Sequence, residues 1–181
     1  KRAEAEALSR EELALRRELL GDEHPDVAAT LQDLSQFLRA PGKMVESEAT
    51  AREALAIRRK AFGNEHLDIG HSIHCLAWVL NQNGKRAEAE ALSREELALR
   101  RKLLGNEHPD IAFTLQDLSL FLRDQGKLAE AETTQREAVA IRTKHLGKEH
   151  PDLRHMFHFL SELLLGQQRL AEAEAAVREE L

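Results

Sequence analysis

Apolar residues recur along this chain at steps of three and four, in short runs separated by glycine-containing turns. The clearest run is Ile111, Leu115, Leu118 and Leu122. This spacing places all four side chains on one face of an α-helix. A turn at 124–126 follows, and then a longer segment rich in Ala and Glu at 127–146. The pattern predicts two antiparallel helices, and because alternating runs of β-branched residues are absent, we expect no strands.

The six-residue motif Gly-x-Glu-His-(Pro/Leu)-Asp separates these runs. It begins at Gly21, Gly63, Gly105 and Gly147, each copy 42 residues after the last. Glycine commonly ends a helix, proline suits the first position of the next one, and an early carboxylate complements the helix dipole. The repeated His-Pro-Asp triplet is therefore interpreted as a signal that marks a helix start. A single copy would also suggest the loop of a J-domain co-chaperone.

A fixed period of this length indicates supersecondary units that stack in one dimension. We divide the chain into a half repeat, three full repeats and a truncated last repeat. Their ranges are 1–20, 21–62, 63–104, 105–146 and 147–181. We treat 1–181 as a single array, and we expect it to be a piece of a longer protein.

The array also contains a duplication of a two-repeat block. Residues 1–39 and 85–123 are identical at 34 of 39 positions. Three of the five differences are conservative or surface exchanges. The remaining two, Ala29/Phe113 and Gln36/Leu120, change size and polarity. We return to these two pairs because both fall on the surface where we expect a ligand.

The amino-acid composition argues against some classes of binding partner. The net charge is −6, and Lys and Arg are interspersed with Glu rather than clustered. We therefore expect neither nucleic acid nor a membrane as partner. Apolar runs are too short to cross a bilayer. The single cysteine, Cys75, cannot form an internal disulfide, so we expect a reducing compartment and a cytoplasmic location.

These residues resemble a known repeat family. Leu115-x-x-Leu118-Ser119-x-x-Leu122, followed by Ala131 and Ala138, is similar to the large–small pattern of tetratricopeptide repeats. HEAT repeats are a weaker alternative, because the small-residue positions match less well. The 42-residue length resembles the kinesin-light-chain type. Small residues recur where the two helices of a hairpin would approach closely, at Ser47, Ala89, Ala131 and Ala173.

The resemblance implies an all-α, right-handed superhelical solenoid of antiparallel helix hairpins. In that family the first helix of each hairpin lines a concave groove. Projected onto this sequence, the groove uses positions beside the apolar stripes. They are Ala29, Gln32, Gln36 and Arg39; His71, His74, Trp78 and Asn81; Phe113, Gln116, Leu120 and Arg123; and His155, His158, Glu162 and Leu165.

The predicted function is a non-catalytic scaffold that binds a protein or peptide segment in this groove. Trp78 lies there, and tryptophan is enriched among residues that dominate interface energies. Both size-changing differences of the duplication lie there too. The alternative is a self-assembly or spacer element that interacts end to end, because solenoid ends without polar capping units expose apolar surface.

Two histidine pairs raise the question of a metal site. His71 and His74, like His155 and His158, are three residues apart and share a helix face. The two pairs lie two repeats apart, on the order of 20 Å, since packed helices are roughly 8–10 Å apart. Each pair is thus at most half of a zinc site, and we expect no metal or other cofactor. Phosphate-binding loops, nucleophile elbows and zinc-protease motifs are absent, so we predict no catalytic residues.

Overall fold

The computed structural model describes residues 2–180, which form nine α-helices, one short 3₁₀ helix and no strand. The prediction of an all-α fold is confirmed. None of the helices in this range is long and apolar enough to cross a membrane. The helices are α1 (Arg2–Leu20), α2 (Pro25–Phe37), α3 (Met44–Phe62), α4 (Leu67–Gln82), α5 (Arg86–Leu104), α6 (Pro109–Asp124), α7 (Leu128–Leu146), α8 (Arg154–Gly166) and α9 (Leu170–Glu180), with the 3₁₀ turn at Pro151–Leu153 before α8.

The repeated motif marks where one helix ends and the next begins, and its histidine caps the start of the new helix. Each of the four histidines precedes a helical turn, and its imidazole Nδ1 accepts the backbone N–H of the aspartate two residues later at 3.1 or 3.2 Å. An N-cap side chain satisfies one of the amide groups that a helix start leaves without a partner. His66 caps α4 although Leu67 replaces proline there, so the cap does not depend on the proline.

The glycine of each repeated motif ends the preceding helix. Gly63 has a φ of 72°, and Gly21, Gly105 and Gly147 each have a φ of 84°. Residues with a Cβ rarely adopt this left-handed region, which is common just after a helix. The amide of Gly63 bonds the carbonyl of Arg59 at 3.0 Å and so closes the last turn of α3. Glycine here fixes where each long helix stops.

Contacts divide the chain into two compact units, Lys1–Leu99 and Arg100–Leu181, and the division falls within α5. In the first unit, α1, α2, α3 and α4 pack in sequence order, each on the next. In the second unit, α6, α7, α8 and α9 do the same. Each unit is therefore built from consecutive helix hairpins.

Small residues allow the two helices of a hairpin to approach closely. Ser47 in α3 is fully buried, and its hydroxyl donates to the carbonyl of Ser35 in α2 at 2.7 Å. In the second unit, Ser119 of α6 donates to the carbonyl of Ala131 in α7 at 2.7 Å. Such contacts need a short side chain at the crossing point, which is what the recurring Ser and Ala positions predict.

A buried glutamate on the second helix of a hairpin binds the turn of the next hairpin. Glu48 of α3 accepts hydrogen bonds from Lys85 at 2.7 Å, from Asn83 at 2.9 Å and from Arg52 at 3.0 Å. Burial by itself would raise the pKa of the Glu48 carboxyl, but these three donors together lower it below its ordinary value. Glu132 has the same arrangement in the second unit, and its pKa is also lowered. Glu48 thereby holds the turn at 83–85 against α3.

We expect the first unit to lose stability in acid through Glu48. Its folded-state pKa is lower than the value of about 4.3 in an unfolded chain, so the carboxylate stabilises the fold above that pH. The contribution disappears as pH falls through the folded-state pKa. Glu48→Gln should lower the free energy of unfolding at neutral pH by roughly 1–3 kcal/mol. It should also flatten the dependence of the thermal midpoint on pH below about 5.

Circular dichroism melts across a pH series measure both effects. Glu149→Gln is the control, because it removes an exposed carboxylate whose side chain lies outside this cluster. A Glu48→Gln protein with the same acid sensitivity as the parent would contradict the assignment.

Candidate peptide-binding faces

The predicted groove residues of α2 and α4 lie at the surface of the Lys1–Leu99 unit, and Arg39, predicted with the first helix, follows the end of α2. Leu31, Leu34 and Leu38 of α2 are buried, as are Ile73, Leu76 and Leu80 of α4. The residues beside these stripes remain accessible, as the helical period requires. Gln36 and His71 are exposed, and Ala29, Gln32, Arg39, His74, Trp78 and Asn81 are half-buried. We call this set the α2–α4 face.

Arg58 adds a cation to the α2–α4 face from α3. Its guanidinium bonds the side-chain oxygen of Gln32, and it lies 2.7 Å from the Ser72 hydroxyl and 3.4 Å from the Asp68 carbonyl. Burial lowers the pKa of Arg58, with Asp68 acting in the opposite direction. Sequence reasoning missed this residue because it considered first helices only. The signal that could have found it is an arginine every 42 residues, at 16, 58, 100 and 142.

Cys75 and His74 of α4 contact different groups. Cys75 is buried, with its sulfur 4.0 Å from the hydroxyl of Ser35, and burial raises the pKa of the thiol. His74 instead lies 3.8 Å from the carboxylate of Glu96, which is itself buried on α5. Among the side chains that the structure describes, no group of three or more potential ligands could hold a metal ion.

The second unit presents the predicted residues of α6 and α8, here called the α6–α8 face. Phe113 is 54% exposed, and the guanidinium of Arg142 from α7 stands 3.7 Å from the centre of its ring. A cation over an aromatic face at this distance is an attractive pair. The other members are Gln116, Leu120 and Arg123, which are half-buried, and His155, His158, Glu162 and Leu165, which are exposed.

Acidic neighbours offset the arginine charge at one end of the α6–α8 face. Arg123 lies 3.2 Å from the carboxylate of Asp124 and 3.6 Å from that of Glu162. Its guanidinium also stands 5.0 Å from the centre of the Phe159 ring. His158 lies 3.5 Å from Glu162. Arg123 belongs to the predicted groove, and in the structure these two carboxylates balance its charge within the face.

The buried residues beneath the two faces are similar, but the exposed side chains of the two faces differ. Val27 and Ile111, which replace each other in the duplication, are both fully buried. Ala29 and Phe113, in contrast, both have accessible side chains, as do Gln36 and Leu120. The aromatic group of the α2–α4 face is therefore Trp78, whereas that of the α6–α8 face is Phe113 beneath Arg142.

Comparison with known proteins supports the fold and the family. The model of the tetratricopeptide repeat family matches residues 1–60, 34–102, 68–144 and 117–181, which together span the chain. Nearly identical TPR-like repeats from a Podosopora anserina protein assigned as a kinesin light chain align with a TM-score of 0.86 and 27% identity, over 99% of this chain and 85% of that one. BtubC (BKLC) from P. vanneervenii aligns with a TM-score of 0.86 and 25% identity, over 99% and 71% of the two chains.

A more distant structure, MamA, aligns with a TM-score of 0.65 and 12% identity over 93% of this chain and 84% of its own, and at that identity it shows the fold alone. No curated protein sequence matches the chain. The match of the family model over the full length and the two kinesin-light-chain-like structures agree with the 42-residue period and the hairpin packing. The chain therefore belongs to the tetratricopeptide repeat family and has the fold of its kinesin-light-chain-like members.

Proposed function

We propose that this chain is a non-catalytic scaffold that binds a peptide segment of a partner protein on its α2–α4 and α6–α8 faces. Tetratricopeptide repeats generally mediate protein–protein interactions, which supports the class of function. One observation favours these faces in particular. The duplicated blocks keep their buried residues nearly constant, and the two size-changing differences, Ala29/Phe113 and Gln36/Leu120, both affect accessible side chains of first helices.

The chemistry of the faces suits an extended or helical peptide with apolar side chains. Trp78 and Phe113 each offer an aromatic surface, and aromatic residues contribute strongly to interfaces. Gln36 and Gln116 carry amide groups that can bond a peptide backbone. Arg58 and Arg142 lie against the faces, but both already contact neighbouring groups. We therefore propose that apolar contacts supply most of the affinity for the peptide and that the amide groups set its orientation.

The same proposal includes the surroundings of the protein. We propose a cytoplasmic location, consistent with the single buried cysteine, and protein partners rather than nucleic acid, membranes or cofactors. A second candidate function is association of copies through the ends of the array. It is favoured by the exposed leucines of α1, of which Leu8 is 61% and Leu19 70% exposed.

Selection of peptides from a displayed random library tests binding to the faces. The variant Phe113→Ala/Leu120→Gln gives α6 the residues that α2 carries at the corresponding positions, so its fold should be preserved. A second variant, Trp78→Ala, removes the aromatic group of the α2–α4 face. We expect the parent to enrich a peptide motif, and we expect the variant of the face that binds this motif to weaken the binding at least tenfold.

Val45→Gln is the matched control for this selection, because Val45 is an exposed apolar residue on α3 that belongs to neither face. It should bind the selected peptide as the parent does. Equal binding by the parent and by both face variants would overturn the assignment of the faces. A parent that enriches no motif would overturn the peptide proposal.

A further inference from the structure

Arg58 of α3 contacts both helices that form the α2–α4 face. Its Nη1 donates to the side-chain oxygen of Gln32 on α2 and to the hydroxyl of Ser72 on α4, the latter at 2.7 Å. The Ser72 side chain is only 1% exposed, so its hydroxyl anchors the guanidinium in a well-packed part of the unit. Because α2, α3 and α4 follow one another and pack on one another, three consecutive helices of one unit fix the position of this guanidinium.

The contact with Arg58 fixes the orientation of the Gln32 amide. A guanidinium has only hydrogen-bond donors, so the amide atom that faces it is the oxygen. The NH2 group forms the other arm of the amide and points away from Arg58. This group has no hydrogen-bond partner among the residues that the structure describes, and it is not one of the buried atoms that lack a partner. The Gln32 NH2 group is therefore an accessible donor on the α2–α4 face.

The second unit contains the same glutamine without this arrangement. Gln116 stands two periods of 42 residues after Gln32, and Arg142 stands two periods after Arg58. The guanidinium of Arg142 lies 3.7 Å from the centre of the Phe113 ring. Gln116 makes no hydrogen bond with its side chain in the described part of the chain. The two units thus use the same pair of residues differently.

Two sequence differences explain why the arginine contacts change. The second unit has Phe113 where the first has Ala29, and this ring provides a stacking surface for the arginine. The second unit also has Met156 where the first has Ser72, and the buried Met156 offers no hydroxyl to anchor a guanidinium. With no contact to fix it, the Gln116 amide can turn either its oxygen or its NH2 group towards a ligand.

We propose that Arg58 is a positioning residue of the α2–α4 face, which fixes the Gln32 amide as a donor for one backbone carbonyl of the bound peptide. This inference rests on the proposed function and specifies how that face recognises its ligand. A donor that is already oriented loses less conformational entropy on binding than a side chain that has to be ordered. A peptide N–H at this point would find no acceptor, which is unfavourable. The α2–α4 face therefore sets the register of the peptide backbone, whereas Gln116 accepts either backbone group.

NMR relaxation of side-chain amide groups tests the orientation in the absence of any ligand. In the parent, the NH2 group of Gln32 should be clearly more restricted than that of Gln116. Arg58→Met should release the Gln32 amide to about the mobility of Gln116. Equal mobility of the two amides in the parent would overturn the proposal.

A double-mutant cycle tests whether Arg58 acts through Gln32. The probe is a peptide that display selection enriches on the parent and that Trp78→Ala binds more weakly. Gln32→Met and Arg58→Met should each weaken its binding roughly three- to tenfold, which corresponds to one neutral hydrogen bond. The double variant should bind no more weakly than Gln32→Met alone, because the arginine then has no amide to orient. Losses that multiply would show that Arg58 acts independently of Gln32 and would overturn the proposal.

Gln32→Glu separates the donor from the contact with Arg58, and it keeps the arginine in place in case Arg58→Met does not fold. The carboxylate still accepts from Arg58, so the melting temperature should stay at or above that of the parent. Peptide binding should fall at least as far as in Gln32→Met, because the NH2 donor is gone. Gln82→Glu adds the same charge at an exposed residue of α4 outside both faces, and it should bind as the parent does. Parental affinity of the Gln32→Glu protein would refute the role of the amide.

The outcomes distinguish this inference from the proposed function. A peptide that binds Trp78→Ala more weakly but binds Gln32→Met as well as the parent would leave the proposed function intact and overturn only the role of Arg58. A parent that enriches no peptide, or only peptides that Trp78→Ala binds equally well, would overturn peptide binding on the α2–α4 face and this inference with it.

Discussion

Phe121→Ala should lower the free energy of unfolding by about 3–5 kcal/mol, the largest effect we expect from a single substitution in this chain. The ring of Phe121 is fully buried in the Arg100–Leu181 unit. Its removal forfeits the transfer free energy of the ring and leaves a cavity that closely packed helices refill only in part. Chemical denaturation followed by far-ultraviolet circular dichroism measures the loss.

The duplication supplies a control for this prediction. Phe37 is the counterpart of Phe121, yet it is only half-buried. It is the last residue of α2, whereas α6 continues three residues beyond Phe121 to Asp124. Shortly after the first block stands Pro41, where Gln125 stands after the second, and proline disfavours helix at and before its position. Phe37→Ala should therefore cost clearly less, and equal losses from both substitutions would refute the account.

Ala131→Leu should lower the free energy of unfolding by roughly 1–3 kcal/mol, because a larger side chain does not fit where α6 crosses α7. Ala131 is fully buried, and its carbonyl accepts a hydrogen bond from Ser119 at 2.7 Å. Three additional carbon atoms would force the helices apart and lengthen that bond. The expected result is a lower denaturation midpoint with little loss of helical content.

Ala129→Leu is the matched control, since Ala129 is exposed two residues earlier on the same helix. Leucine and alanine both favour helices, so this change should stay within about 0.5 kcal/mol. If Ala131→Leu were as neutral as Ala129→Leu, the crossing would be looser than the structure shows.

Local signals in the sequence account for most of the helix boundaries. The prediction that Pro109 opens a helix is confirmed by α6, and the second helix predicted from Lys127 begins at Leu128. The last repeat differs, because its first helix begins with the 3₁₀ turn at Pro151–Leu153. These boundaries were predictable because caps, prolines and glycines act within a few residues of themselves.

The candidate faces were predictable only in part. Positions such as Gln36, His71 and Phe113 follow from the helical period, because a residue beside a buried stripe has to be accessible. Their role in binding a peptide stays a prediction. The contributions of Arg58 and Arg142 were missed, since each reaches a first helix from a different element of the chain. No pattern within one helix states which arginine of a neighbouring helix lies over it.

The sequence by itself determined the helical hairpins, their 42-residue period, the small residues at hairpin crossings and the family. All of these depend on interactions between residues close in the chain, or on repetition that can be counted. Tertiary structure decided how deeply the same residue of a repeated sequence is buried at different places in the chain. Leu15 and Leu99 occupy one position of a nearly identical helix, yet Leu15 is 55% exposed and Leu99 is 8% exposed. Burial depends on which helix packs alongside, and this is a property of the neighbours rather than of the residue.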